Sequence, residues 1–563
     1  MSIILQMALL FSVQASSLCA LSSQDSPIDK YVLIADSVST DNVGSIVVDL
    51  MFDHKEEETL PREEKIKAYS LFSSEKAESL ENMGFKATYI SHAVSMPIVS
   101  LHYRNVYLDT VTSDLKKNLR CDDLLSISIR EDANYEPIQP NYQENMVVNH
   151  QRSTNDSWVD YRDIQYDNYE ATTYSGYGVK IGVADLGQIY ITHSNFADTN
   201  FVIDSSNVKT SASNIGHGDM VLSVLTGKYG LAPRASIYYV DATDPQYSGY
   251  KYLDYFATQT VDVINLSVSS SGLDSCKYIN WIVDNYHIPI VASCVNNLSS
   301  NLGQPACAQN VISVCSINPD YTIASGTNIR DPNDSVENNF RIAATGGLRQ
   351  VNVYGNDLTI SGTSLATPAV TGTIALMMEK NPNMKGDVAL VMAALGNGAD
   401  NTLIAHNSNS SVTDSYDSSS GLYSWSGVGA LDIKQSLWIA GFAATPTFEV
   451  SQGNEAYLFD VGNAQVGQRL YTTHAWLQRI TRYHLYANVY QFTSSPLPNL
   501  NLRLYNSNGV IVWQTTCSNT NIERHFYTFT ANGNYVMKVY CASSSYTVYS
   551  PSSHYSVACH RAI

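Results

Sequence analysis

Along residues 26–150, short apolar runs alternate with charged stretches of helical spacing. Residues 31–35, 44–48, 98–101 and 125–129 read as strands. Residues 62–83 and 111–119 place apolar side chains one helical turn apart. The mixture predicts a small α+β unit. Residues 136–146 are rich in Pro, Asn and Gln and read as a linker.

A second pattern runs over residues 152–440. Nearly continuous apolar segments at 179–184, 236–240, 261–266, 288–295 and 311–314 predict strands buried on both faces. Helical spacing appears between them at 217–225 and, longer, at 365–378. Buried strands alternating with helices predict an α/β unit, a mostly parallel sheet covered by helices. Residues 407–420 form a Ser/Asn-rich surface loop. From 441 to 563 the period changes to two. The segments 502–505, 510–513 and 535–540 alternate, and Asn506 to Gly509 and Asn532 to Asn534 carry turn residues. This third unit is expected to be an antiparallel β-sandwich.

Composition narrows the picture. The chain has 563 residues, 44% hydrophobic and 15% charged, which suits folded domains rather than long disorder. Its 33 Lys+Arg against 52 Asp+Glu give a net charge of −19. That field repels phosphate backbones and anionic lipid, so neither nucleic acid nor a membrane surface is the expected partner. The apolar run at 3–13, followed by Val13-Gln14-Ala15 and Cys19-Ala20, reads as a removable signal peptide over residues 1–20. No later stretch reads as a membrane helix. Secretion is therefore expected, and disulfides among the nine Cys become plausible, although pairing is not legible. No Cys/His spacing for zinc occurs.

Three residues carry candidate chemistry. Ser364 lies in Ser361-Gly362-Thr363-Ser364-Leu365-Ala366-Thr367-Pro368, a turn of small residues entering an apolar helix. Pro368 is tolerated in a first turn. A serine there has backbone amides and the positive end of the helix dipole beside it, which favour a developing oxyanion; plain N-capping is the competing use. Asp185 closes the 179–184 strand, at the end where ligand groups gather in open α/β sheets. His217 opens a helix inside Gly216-His217-Gly218-Asp219.

These motifs resemble the subtilisin-like serine proteases, the subtilases. Gly-Thr-Ser-x-Ala-x-Pro is their nucleophile pattern, and the order Asp, His, Ser is theirs too. Gly230-Leu231-Ala232-Pro233, Ile264-Asn265-Leu266-Ser267 and the 290–296 segment agree with the same pattern. The resemblance implies Ser364 as nucleophile, His217 as base and Asp185 as its orienter. It implies Asn296 as oxyanion donor, with adjacent Asn297 leaving that choice open. By the same analogy Ser267, Val268, Ser269 and Ala292 border the substrate cleft, whose lack of charge points to apolar or small P1 residues. Residues 26–150 resemble an inhibitory, folding-assisting propeptide, 152–440 the peptidase domain and 441–563 the prepeptidase C-terminal sandwich modules. The expected partners are protein or peptide substrates and the chain's own propeptide, acting on a monomer. The chemistry asks for no cofactor. Structural calcium is frequent in the family, but no ligands are legible, and Asp331, Asp334 and Glu337 read as a solvated loop. Three positions depart from the family pattern: Leu186 for Ser or Thr, Asp219 for Thr, and Val295 for Gly. They leave a catalytically silent relative, acting as a binding protein, as the alternative. Asp219 in particular is a second carboxylate placed to disturb the base.

Overall fold

A computed structural model describes residues 32–33, 44–52, 62–92, 98–121, 124–131, 136–137, 173–209, 216–227, 230–244, 251–269, 275–294, 304–318, 324, 327, 340–346, 348–351, 357–360, 362–400, 416–486, 489–517, 520–544, 548–550 and 555–562. The signal-peptide segment, Val295, Asn296, Asn297, Asp331, Asp334 and Glu337 fall outside the described residues.

The first unit is an α+β sheet. Its strands are β1 (Val32–Leu33), β2 (Gly44–Phe52), β3 (Tyr89–His92), β4 (Ile98–Val106) and β5 (Leu124–Glu131), in the spatial order β1-β5-β2-β4-β3. Helices α1 (Arg62–Glu81) and α2 (Leu108–Asn118) accompany it. Alternate residues Ile46, Val48, Leu50 and Phe52 point into one core with Leu80, Val111 and Leu115, as period-two strands with one covered face require. Asp114 is buried in α2 and takes hydrogen bonds from the Tyr103 hydroxyl (2.9 Å) and the Lys86 amide (2.7 Å), which satisfy its carboxylate.

The expected linker departs from its reading at its start. Glu136–Pro137 forms a short strand, β6, paired with a segment far along the chain. Composition describes a segment's own turn propensity and carries no information on a distant edge that offers it hydrogen bonds.

The middle unit holds a seven-stranded sheet. Its members are β7 (Lys180–Asp185), β8 (Asn200–Ile203), β9 (Ser236–Asp241), β10 (Val263–Leu266), β12 (Ile290–Ser293), β13 (Ile312–Ile317) and β14 (Arg341–Thr345). They run in the order β14-β13-β12-β10-β7-β9-β8, and every pair is parallel. The short β11 (Val268–Ser269) follows β10 and pairs antiparallel with β6. Helices α3 (His217–Leu225), α4 (Lys251–Thr258), α5 (Ser275–Tyr286), α6 (Thr363–Lys380), α7 (Val388–Gly398) and α8 (Ile433–Ala440) complete the unit. Strands such as β10 and β12 are buried on both faces, which explains their nearly continuous apolar character. Helix α6 is buried from Thr363 to Met378, so it has no polar stripe. Cys276 and Cys307 are joined by a disulfide.

The C-terminal region is antiparallel. A four-stranded sheet (Glu455–Ala464, Gly533–Ser543, Asn499–Asn506, Ile511–Gln514) and a three-stranded sheet (Ile522–Thr528, Arg469–Trp476, Tyr555–Ala562) enclose a core of Leu458, Leu500, Leu502, Met537, Val539, Trp476 and Val557. The core of the parallel unit runs on into this region through Ala475, Leu477, Ile480, Ile522 and Ala558. Buried polar groups fasten the same contact. Asn310 accepts from the Gln478 amide at 2.7 Å and donates to the Gln478 carbonyl at 2.8 Å. Arg524 donates to the carbonyls of Val428 (3.0 Å) and Ala399. Burial lowers its pKa to about 10, still high enough to keep the charge. No helix among the described residues is long and apolar enough to cross a membrane.

Candidate active site

Asp185, His217 and Ser364 are delivered by three different elements. Asp185 is the last residue of the interior strand β7 and is fully buried. Its Oδ1 accepts from the Leu186 amide at 2.7 Å. The carboxylate therefore takes a backbone donor from the position where the family pattern supplies a hydroxyl. Its Oδ2 is buried with no hydrogen-bond partner among the described residues. Next to it in register, Asp241 accepts from the amides of Gly187 and Thr243, both at 2.9 Å, and from the Thr243 hydroxyl at 2.6 Å. Tyr239 lies between these groups and donates to the Gly187 carbonyl at 2.6 Å. Burial, and then the Asp185, Asp241 and Asp219 charges, push its phenol well above the usual range, so it remains a donor.

His217 is the first residue of α3, and its side chain is 8% exposed. Its Nδ1 meets Asp185 Oδ1 at 2.5 Å. Gly218 lets the helix come this close to the sheet, because a Cβ there would sit 2.5 Å from the Tyr239 hydroxyl. The other ring nitrogen, Nε2, is buried and has no hydrogen-bond partner among the described residues.

Asp219 is held by donors of its own. Its Oδ1 accepts from the Tyr190 amide (2.7 Å), and its Oδ2 from the Gly216 amide and Lys209 Nζ (both 2.8 Å). The carboxylate accepts from the N-cap amide at the start of α3 and ties down two neighbouring segments. Its charge is balanced by Lys209.

Ser364 is the second residue of α6, follows Gly362 as N-cap, and is fully buried. Its carbonyl accepts from the Ser267 hydroxyl at 2.8 Å. Asn265 Nδ2 donates to Ser267 Oγ at 3.1 Å, and the Thr371 hydroxyl donates to Asn265 Oδ1 at 2.9 Å. This chain of bonds pins the first turns of α6 to the end of β10. Sequence reasoning offered Ser267 as a cleft-bordering residue. Ser267 is fully buried, and its hydrogen-bond network includes Asn265 and Thr371, which the motifs did not single out. The available signal for Asn265 was a polar residue inside the otherwise apolar 263–266 run. Ala292 is likewise fully buried inside β12, between Leu266 and Ser313. Val268 and the half-exposed Ser269 lie on the edge that pairs with Pro137 and Glu136. Among the described residues no group of three or more His, Cys, Asp or Glu is placed to hold a metal.

The profile of the Subtilase family (Peptidase S8) matches residues 176–389, which contain all three of these side chains. The chain carries a subtilisin-like serine protease domain. Subtilisin DY from Bacillus licheniformis is 28% identical to it over 244 residues, covering 39% of this chain and 84% of that protein. Subtilisin NAT from Bacillus subtilis subsp. natto is 29% identical over 230 residues, covering 37% of this chain but 58% of the relative. Among solved structures, fervidolysin from Fervidobacterium pennivorans, a keratinolytic enzyme related to subtilisin, aligns with a TM-score of 0.51 at 15% identity. That alignment covers 90% of this chain and 72% of fervidolysin, and it shows a shared fold. By class the protease domain is a serine-type endopeptidase.

Proposed function

We propose that this chain is a secreted endopeptidase that cleaves protein peptide bonds by acyl transfer at Ser364. The observation that carries the reading is the Nδ1–Asp185 bond of His217 at the C-terminal end of the parallel sheet. It fixes one ring nitrogen and leaves Nε2 for proton transfer. His217 Nε2 takes the Ser364 proton as Oγ attacks the scissile carbonyl. Asp185 holds the tautomer and balances the imidazolium. The Ser364 amide, at the start of α6, and the Asn296 side chain receive the oxyanion. His217 then protonates the leaving amine, and water releases the acyl-enzyme. These groups suffice for the chemistry without a cofactor.

The first unit acts as propeptide. Its Glu136–Pro137 segment lies antiparallel on Val268–Ser269, with Val268 opposite Pro137 and Ser269 opposite Glu136. An extended peptide substrate would add to the same edge by backbone hydrogen bonds. Export, self-cleavage of the first unit and action as a monomer on apolar or small P1 residues complete the proposal.

The deciding experiment is fluorophosphonate labelling of the secreted, processed protein beside Ser364→Ala. Labelling and self-processing should both vanish in the variant. A folded, processed wild-type chain that takes no label at any pH overturns the assignment.

A further inference from the structure

Cys294 and Cys315 have no part in acyl transfer, yet they sit in the frame of the site. Strands β12 and β13 pair Val291 with Ile312, Ala292 with Ser313 and Ser293 with Val314. The Cys294 amide donates to the Val314 carbonyl at 2.9 Å, so the next rung sets Cys294 against Cys315. Adjacent strands run about 4.8 Å apart. That spacing lies inside the Cα separation of roughly 4.4–6.8 Å that a disulfide spans. The two sulfurs already approach to 3.6 Å. Both residues are buried, at 0% and 1% exposure, in an apolar cluster with Ile317, Ala343, Trp425 and Ala430.

We propose that Cys294 and Cys315 are a second disulfide site, which oxidation closes to staple the end of β12 to β13. The oxidant is a small or protein disulfide of the oxidised-glutathione class. One cysteine thiolate attacks it, releasing a glutathione thiolate and leaving a mixed disulfide. The second cysteine thiolate attacks the protein-bound sulfur and releases the second glutathione. The cysteines lose two electrons and two protons, and the oxidant is reduced to two thiols. Contact with Cys315, and then burial, push the Cys294 thiol well up, so exchange belongs to the folding chain, before the cluster seals.

The staple would act where β12 hands the chain to residue 295 and onward to Asn296. Its bearing on catalysis rests on the oxyanion role proposed for Asn296, whereas the bond itself does not. The bridge joins residues 21 apart, and closing a loop of that size raises the folding constant by about three-hundredfold.

The test uses the full chain carrying Ser364→Ala, unfolded and reduced, refolded in the presence of oxidised glutathione, then denatured without reductant, alkylated and digested. A linked peptide pair holding Cys294 and Cys315, lighter by two hydrogens than the free pair and released by reductant, is expected. Alkylation of both residues, or a bond from either to another cysteine, overturns the proposal. In Cys315→Ala, Cys294 should be found alkylated or carrying glutathione, and a bond from Cys294 to another cysteine of the chain there also overturns it. Mass reads the linkage in a chain that lacks the proposed nucleophile, so failure of the catalytic reading is distinguishable from failure of this one.

Discussion

Replacing Asp219 separates two accounts of the residue. If the carboxylate perturbs the base, its removal should change turnover first. If it is a brace, removal should cost stability first. Asp219→Ala leaves the Gly216 amide without its cap, worth about 1 kcal/mol. It also leaves the half-buried Tyr190 amide without an acceptor, worth about 2 kcal/mol for a lost charge-assisted bond. Lys209 is 19% exposed and can turn to water, so its lost partner adds little. The sum is about 3 kcal/mol, or about 6 °C in Tm for a unit of this size. Asp219→Thr can keep one of the three bonds and should lose about 4 °C by the same scaling. Thermal unfolding is measured in the Ser364→Ala background to prevent self-digestion. Turnover is measured separately in chains with an intact Ser364 and scaled to the fluorophosphonate-labelled fraction. We expect the Tm losses with turnover per labelled site held within about tenfold. An unmoved Tm, or a gain in turnover per site, refutes the brace.

Four further outcomes follow from the same geometry. Asp185→Asn keeps the shape but presents an amide to His217 Nδ1, and kcat should fall by about 10⁴, the loss seen when a triad His is held in the wrong tautomer. Ser267→Ala frees the Ser364 carbonyl and should slow labelling about tenfold, with recovery in Ser267→Thr; no change would remove Ser267 from the positioning network. Gly421→Ala should cost about 3 kcal/mol or more, because its φ is +72° and a Cβ there would overlap the Arg524 carbonyl; a wild-type Tm would refute the packing of that turn. Burial, then the Arg524 charge, lower the His560 pKa from 6.5 to about 4, so the unfolded chain takes the proton first. The resulting stability is complete above pH 6.5 and is lost as pH falls towards about 4, and urea midpoints of His560→Gln should be flatter across that window.

The sequence by itself determined the units that local patterning controls. Buried parallel strands announce themselves as nearly continuous apolar runs, so β7, β9, β10, β12 and β13 were legible to within about three residues. Asp185, His217 and Ser364 stood out as candidates because Asp185 ends a strand and the other two open helices, where a short motif records the local turn. Only the tertiary structure decided what their neighbours do. Ser267 reaches a carbonyl 97 residues away, and Asn265 reaches Thr371, 106 away. Asp219 was legible only as a second carboxylate near the base, and two of its three donors lie 10 and 29 residues away. Glu136–Pro137 read as linker until an edge strand more than a hundred residues on received it. The break in period near residue 441 marked a change of sheet, yet the core runs through it to Ile522 and Ala558. Period and composition are properties of neighbours along the chain. A hydrogen-bond partner or a shared core is a property of neighbours in space, fixed only when the sheet brings its strands into register.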